Sequence, residues 1–163
     1  MIVVKKNNYL EYKNLKFRCA LGKAGIQKKF KEGDKITPKG TYKILSIYYR
    51  EDRIKKIKCS IRKIKITKQM GWCDDSKSKY YNKQIKVPSK LSHETLYRKD
   101  NIYDVVCVIN YNINPTLKEK GSAIFLHIAR KKYQKTNGCI AVKKNHLIKL
   151  LTLIKKNTRI KIG

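Results

Sequence analysis

The chain of 163 residues carries 41 Lys and Arg against 11 Asp and Glu, a formal charge of +30. That length fits one domain, residues 1–163, with a single sizeable core. At 41% hydrophobic content, no run nears the roughly 18 apolar residues of a membrane helix, which excludes such a span.

The opening run Ile2-Val3-Val4 gives way to Lys5-Lys6. It falls short of the roughly 7 to 15 apolar residues of a signal-peptide core, so no export signal is expected. Leu15, Phe17, Cys19 and Leu21 alternate with Lys16, Arg18 and Ala20, the period of a half-buried strand. Gly33-Asp34 and Pro38-Lys39-Gly40 predict turns. Ile57, Cys59 and Ile61 predict another strand, and Ile64 and Ile66 continue it on the opposite parity, which implies a bulge near Arg62-Lys63. Residues 68–100 form a long polar connection, in which Trp72, Tyr80 and Tyr81 argue for order. Asp104 to Ile109 reads as a strand buried on both faces, and Ala123 to Ile128 as a second. Asn145 is placed to cap a helix carrying Leu147, Leu150, Leu151 and Ile154, and Thr158 to Ile162 closes the chain as a strand. The sum is a mainly-β fold with one helix near the C-terminus.

The charge bears on partners rather than on fold. A basic surface suits nucleic acid or another anionic polymer, yet Lys, Ile, Asn and Tyr are also what AT-rich codons supply. The lysines run from Lys5 to Lys161, many alternating with apolar residues as on solvated strand faces. No RNA-recognition motif, zinc-finger spacing or Gly-rich phosphate loop is present, so no specific nucleic acid is expected. A basic nucleic-acid-binding module without catalysis stands as the competing reading. Five cysteines, an odd count without a CxxC pair, rule out an all-disulfide framework and argue against a zinc cluster. Cys19, Cys59 and Cys107 lie in apolar patterns and read as packing residues.

Cys139 has different neighbours. Gly138 precedes it and lets the backbone approach a ligand closely, and His127 stands where an apolar strand ends. A thiol beside an imidazole is a candidate nucleophile with its base, and backbone N–H groups at such a turn can face an oxyanion. His93 and His146 are alternative bases; His146, at a helix start, reads as a surface residue. Spacing alone favours Cys139 and His127 as unrelated residues over a catalytic pair.

The segments "EGDKITPKGTYKI", "GSAIFLHIA" and "TNGCIAV", in that order, resemble the L,D-transpeptidase catalytic domain, or YkuD-type domain. Its hallmark, a histidine followed by Ser/Thr-x-Gly-Cys, is met by His127 and Thr136-Asn137-Gly138-Cys139. "CALGKAGI", "GWCDD" and "YDVVCVINYN" further resemble a compact bacterial branch, so the likeness spans roughly residues 15 to 162. Asn137 stands where the family commonly has His or Arg, Ile128 where many members have Gly, and Ala141 where Arg or Asn often follows the cysteine.

The resemblance implies a β-sandwich or barrel of two sheets. It implies Cys139 as nucleophile, His127 as general base and acid, and the N–H groups of Gly138 and Cys139 as oxyanion hole, with no metal and no cofactor. Peptidoglycan stem peptides would be the substrates, joined through a thioester into a 3-3 cross-link or trimmed by carboxypeptidase action. Trp72, Tyr81, Asp74, Asp75 and Asn137 would contact substrate; the alternative is that Trp72 plugs the core and the two aspartates satisfy loop backbone. Carbapenems would acylate the same cysteine, the protein would act as a monomer, and the periplasm or cell envelope would be its place.

Overall fold

Apolar residues at every second position draw the chain into short strands, eight of which close on themselves. The computed structural model describes residues 1–163. The strands are β1 (Ile2–Lys5), β2 (Tyr9–Tyr12), β3 (Leu15–Ala20), β4 (Ile26–Gln27), β5 (Thr37–Pro38), β6 (Gly40–Tyr49), β7 (Lys63–Lys65) and β8 (Met70–Cys73). They continue with β9 (Gln84–Lys86), β10 (His93–Thr95), β11 (Val105–Ile109), β12 (Phe125–Ile128), β13 (Ile140–Val142) and β14 (Arg159–Ile162). One helix, α1 (Lys144–Leu153), lies between the last two.

The large sheet runs β11-β12-β13-β3-β2-β1-β14-β6-β7, and β6 also pairs with β11, closing a barrel-like circuit of eight strands. The ten residues of β6 make this possible: Gly40 to Lys43 pair with β14, whereas Ile44 to Tyr49 pair with β11. β7 adds to the far end of β6 as the free edge. A three-stranded sheet, β10-β8-β9, and the two-stranded β4-β5 complete the count, so the structure has three sheets where two were expected. The additional sheet comes from the polar connection of residues 68–100, which is ordered as its aromatics predicted.

Alternate side chains from the eight circuit strands meet in one core, from Ile2 and Val4 on β1 to Ile160 and Ile162 on β14. Leu147, Leu150, Leu151 and Ile154 join it from the helix side, as their spacing predicted. β11 is buried on both faces: Val105, Cys107 and Ile109 enter this core, while Val106 and Val108 enter a second one. The second core holds Trp72, Leu96, Tyr103 and Phe125, and it fastens the small sheet to the outside of β11 and β12.

Three local expectations differ. Ile57 and Ile61 are buried with Ile54 in the main core, but residues 54–62 form no ladder, and the strand begins only at Lys63. Alternating burial there reflects a coil laid across a core. Asn145 is not the helix cap; Lys143 is, because the extended backbone leaving β13 turns at once into the helix, and Asn145 Oδ1 accepts from the adjacent His146 N–H instead. Ala123 adopts φ +50° and the strand starts at Phe125.

Candidate functional site

Strand pairing brings His127 and Cys139 together. β12 and β13 run parallel with Leu126 opposite Ile140 and His127 opposite Ala141. Continuing that register puts Cys139 beside Phe125, two residues before His127 on the neighbouring strand and on the same face. Ordinary strand spacing then sets their Cα atoms on the order of 8 Å apart, within reach of a thiol and an imidazole. Both line one cavity of about 540 Å³. Twelve positions of sequence separation become a diagonal relation across two paired strands because the connection between them folds back.

Thr136 governs that connection. Its N–H donates to the Leu21 carbonyl at 2.9 Å, and its own carbonyl accepts from the Lys23 N–H at 3.0 Å. Its hydroxyl donates to the Cys139 carbonyl at 2.6 Å and accepts from the Gly138 N–H at 3.1 Å. Gly138 has φ +138°, and a Cβ there would lie 2.9 Å from the Ile36 carbonyl oxygen. Gly22 is equally confined, since a Cβ would come within 2.3 Å of the Lys35 carbonyl oxygen. The Gly138 N–H expected at an oxyanion is therefore already bonded to Thr136, whereas the Cys139 N–H has no partner within the chain.

The cysteine and histidine are both neutral at rest. Burial pushes the Cys139 thiol up to about 12, helped by the nearby Glu94 carboxylate, and the bond from the Phe125 N–H at 3.4 Å only partly opposes this. The thiol donates to the Ala123 carbonyl at 3.1 Å. Burial also lowers His127 to about 4. The Nδ1 of His127 lies 3.0 Å from the Ile128 carbonyl, which can only accept, so Nδ1 carries the proton and Nε2 the lone pair.

Cys139 lines two cavities. The larger is rimmed by Lys23, Arg98, Arg130 and Lys135. The smaller, about 260 Å³, is lined by Glu32, Asp74 and Glu94 together with Lys29 and Lys35. Asn137 and Glu94 line both, and Asp74 lines the smaller while accepting from the Ser92 hydroxyl at 2.6 Å.

The other expected contacts have structural positions. Trp72 is buried, packs edge-on against Phe125 and Tyr48, and donates to Asn82 Oδ1 at 3.0 Å; it lines neither cavity. Tyr81 is likewise buried, its hydroxyl donating to Glu32 and accepting from the Gly121 N–H at 2.9 Å, so it holds a cavity wall without forming one. Asp75 accepts from the Lys77 N–H at 3.1 Å in a turn. His93 lines the larger cavity, its Nδ1 bonded to the Leu91 carbonyl at 2.7 Å. His146 lies away from both cavities, half-buried and stacked on Phe17 with centroids 4.5 Å apart.

Sequence reasoning missed Glu94 and Tyr103. Tyr103 donates its hydroxyl to Glu94 and sets its ring edge-on to His127 at 5.3 Å. The apolar flanks of Tyr103 hid it as a core residue, and Glu94 sits in a strand of three residues too short to show a period.

No curated protein matches the chain. No helix is long and apolar enough to cross a membrane. The model of the YkuD L,D-transpeptidase catalytic domain matches residues 1–162, taking in the first two strands as well as the stretch already seen to resemble it. The chain therefore belongs to this family of cysteine-dependent acyltransferases, which act on peptidoglycan and bind β-lactams.

Proposed function

We propose that the protein is a peptidoglycan L,D-transpeptidase with Cys139 as nucleophile and His127 as its base. The observation that carries this reading is one cavity lined by both residues, with the imidazole locked as the Nδ1–H tautomer by the Ile128 carbonyl. A neutral thiol and a neutral imidazole suit a proton transfer coupled to bond formation. Nε2 takes the thiol proton while sulfur attacks the carbonyl of the third stem residue. The Cys139 N–H is the amide available to the developing oxyanion.

Collapse of the tetrahedral intermediate breaks the amide bond, and His127 returns the proton to the departing D-alanine amine. A thioester remains on Cys139. An amine of a second stem attacks it, forming a C–N bond as the C–S bond breaks, and sulfur recovers a proton through His127. Lys23, Arg98, Arg130 and Lys135 suit the carboxylates of the donor stem, and Asn137, on both sides of the sulfur, suits its backbone amides. Action on peptidoglycan fits the cell envelope, where the family is typically found.

The test is incubation with a disaccharide-tetrapeptide carrying a diamino acid at position three. Released D-alanine and a dimer linked between third residues are expected. A tripeptide product without dimer reduces the activity to a carboxypeptidase. Absence of both products across several stem variants, with no carbapenem adduct on Cys139, overturns the reading.

A further inference from the structure

Glu94 has no role in forming the nucleophile. Its carboxylate raises the Cys139 thiol and so opposes ionisation of the sulfur. It forms no salt bridge with any Lys or Arg, and its partner is the neutral Tyr103 hydroxyl. Only Glu94, Asn137 and Cys139 line both cavities. On the smaller side Glu94 is joined by Glu32 and Asp74; of the two cations there, Lys29 is already paired with Asp34 and Lys35 is solvent-exposed.

Resting on the transpeptidase reading, we propose that Glu94 binds the incoming acceptor as an ammonium through the smaller cavity and removes the proton that frees it for attack. An alkyl amine with a pKa near 10 enters at neutral pH as the cation and cannot open a thioester until one proton leaves. In the step, an ammonium proton passes to a Glu94 carboxylate oxygen. The nitrogen lone pair then attacks the thioester carbon, and the C–S bond breaks. The second nitrogen proton travels through His127 to sulfur, the third remains on the amide, and Glu94 releases its proton to water. Burial first, then the charges of Asp74 and Glu32, raise Glu94 above the usual carboxylate range, which equips it to hold that proton; the Tyr103 hydroxyl and Arg98 moderate the rise. His93, beside it on β10, and Cys139 complete its surroundings.

The experiment separates the half-reactions in the full-length protein. A tetrapeptide stem supplies the acyl group, and the acceptors compared are a stem tripeptide with a free side-chain amine and hydroxylamine, which is already neutral at pH 7. Glu94→Gln retains an acceptor for Tyr103 but no charge. It is expected to release D-alanine in an acylation burst, yet to transfer to the stem amine about 10²-fold more slowly at pH 7. The loss should shrink as pH rises toward the pKa of the amine, and hydroxylamine transfer should be nearly spared. Stem-amine transfer within threefold of wild type, or an equal loss with both acceptors at every pH, overturns the assignment. If Glu94→Gln does not fold, Glu94→Asp should show a smaller loss with the same pH recovery, and a pH-independent loss there overturns it too. A wild-type protein that forms no acyl-enzyme defeats the transpeptidase reading itself, and this assignment with it.

Discussion

The Thr136 hydroxyl bridges the Gly138 N–H and the Cys139 carbonyl, 3.1 Å and 2.6 Å away, so one side chain fixes both peptide units of the Gly-Cys turn. Thr136→Val keeps the shape and removes both bonds. It should lower carbapenem acylation of Cys139 at least tenfold and destabilise the fold by about 1–3 kcal/mol, since two partly buried backbone groups lose their partner. Thr136→Ser should retain most of both. Intact-mass kinetics and urea denaturation check the pair.

Gly22 is expected to matter to the same cysteine without lining either cavity. A Cβ there would meet the Lys35 carbonyl oxygen at 2.3 Å and Gly138 Cα at 3.0 Å, both of them backbone. Gly22→Ala must displace the Lys35 backbone and crowds the Gly138 turn, and acylation should fall more than tenfold even if the protein stays folded by circular dichroism. Unchanged acylation would mean that the turn tolerates displacement.

His127 makes stability depend on pH. Its folded-state value of about 4 lies below the ordinary 6.5, so between these limits the unfolded chain binds a proton that the folded chain refuses. Stability is therefore complete above about pH 6.5 and declines as pH falls toward 4, by on the order of 3 kcal/mol for this group. His127→Gln should flatten that part of the profile in urea titrations at pH 7 and pH 4.5. The same shift keeps the imidazole unprotonated in mild acid, so acylation should persist to about pH 5.

The cysteines should divide by reagent. Burial, which raises the thiol, slows the reaction of Cys139 with simple alkylating reagents. Cys59 is the one cysteine not buried, so iodoacetamide at pH 7 should modify it first. A carbapenem should modify Cys139 alone, because ring opening there draws on His127 and the cavity. Peptide mapping after each treatment distinguishes the two.

The +30 charge predicts weak association with nucleic acid of any sequence, lost between roughly 50 and 200 mM salt because its contacts are to phosphate. Fluorescence anisotropy with unrelated oligonucleotides checks this. A tight, sequence-selective complex at the higher salt would instead favour the nucleic-acid-binding reading.

Much of the barrel was legible in the sequence because its strands alternate: Phe17 and Cys19 inward against Lys16 and Arg18 outward, and the continuous run from Val105 to Ile109 buried twice. The small sheet was not, since strands of three or four residues such as Gln84–Lys86 carry no measurable period. The Cys139 and His127 pairing needed the parallel register of β12 and β13, which twelve positions of separation do not reveal. Trp72 illustrates the opposite difficulty. An aromatic in a polar loop looks like a ligand platform, and only its bond to Asn82 and its packing on Phe125 show it to be a fastener.

Closing the circuit through β6 leaves the large sheet a single open edge at β7, whose sequence is Lys63-Ile64-Lys65. An unpaired edge is a template for strand-to-strand association between copies, and exposed lysines are an effective deterrent to it. The two lysines here are exposed on either side of a half-buried isoleucine. Part of the basic character thus guards against fibre formation, a task for which neutral replacements at residues 63 and 65 would leave the chain poorly equipped.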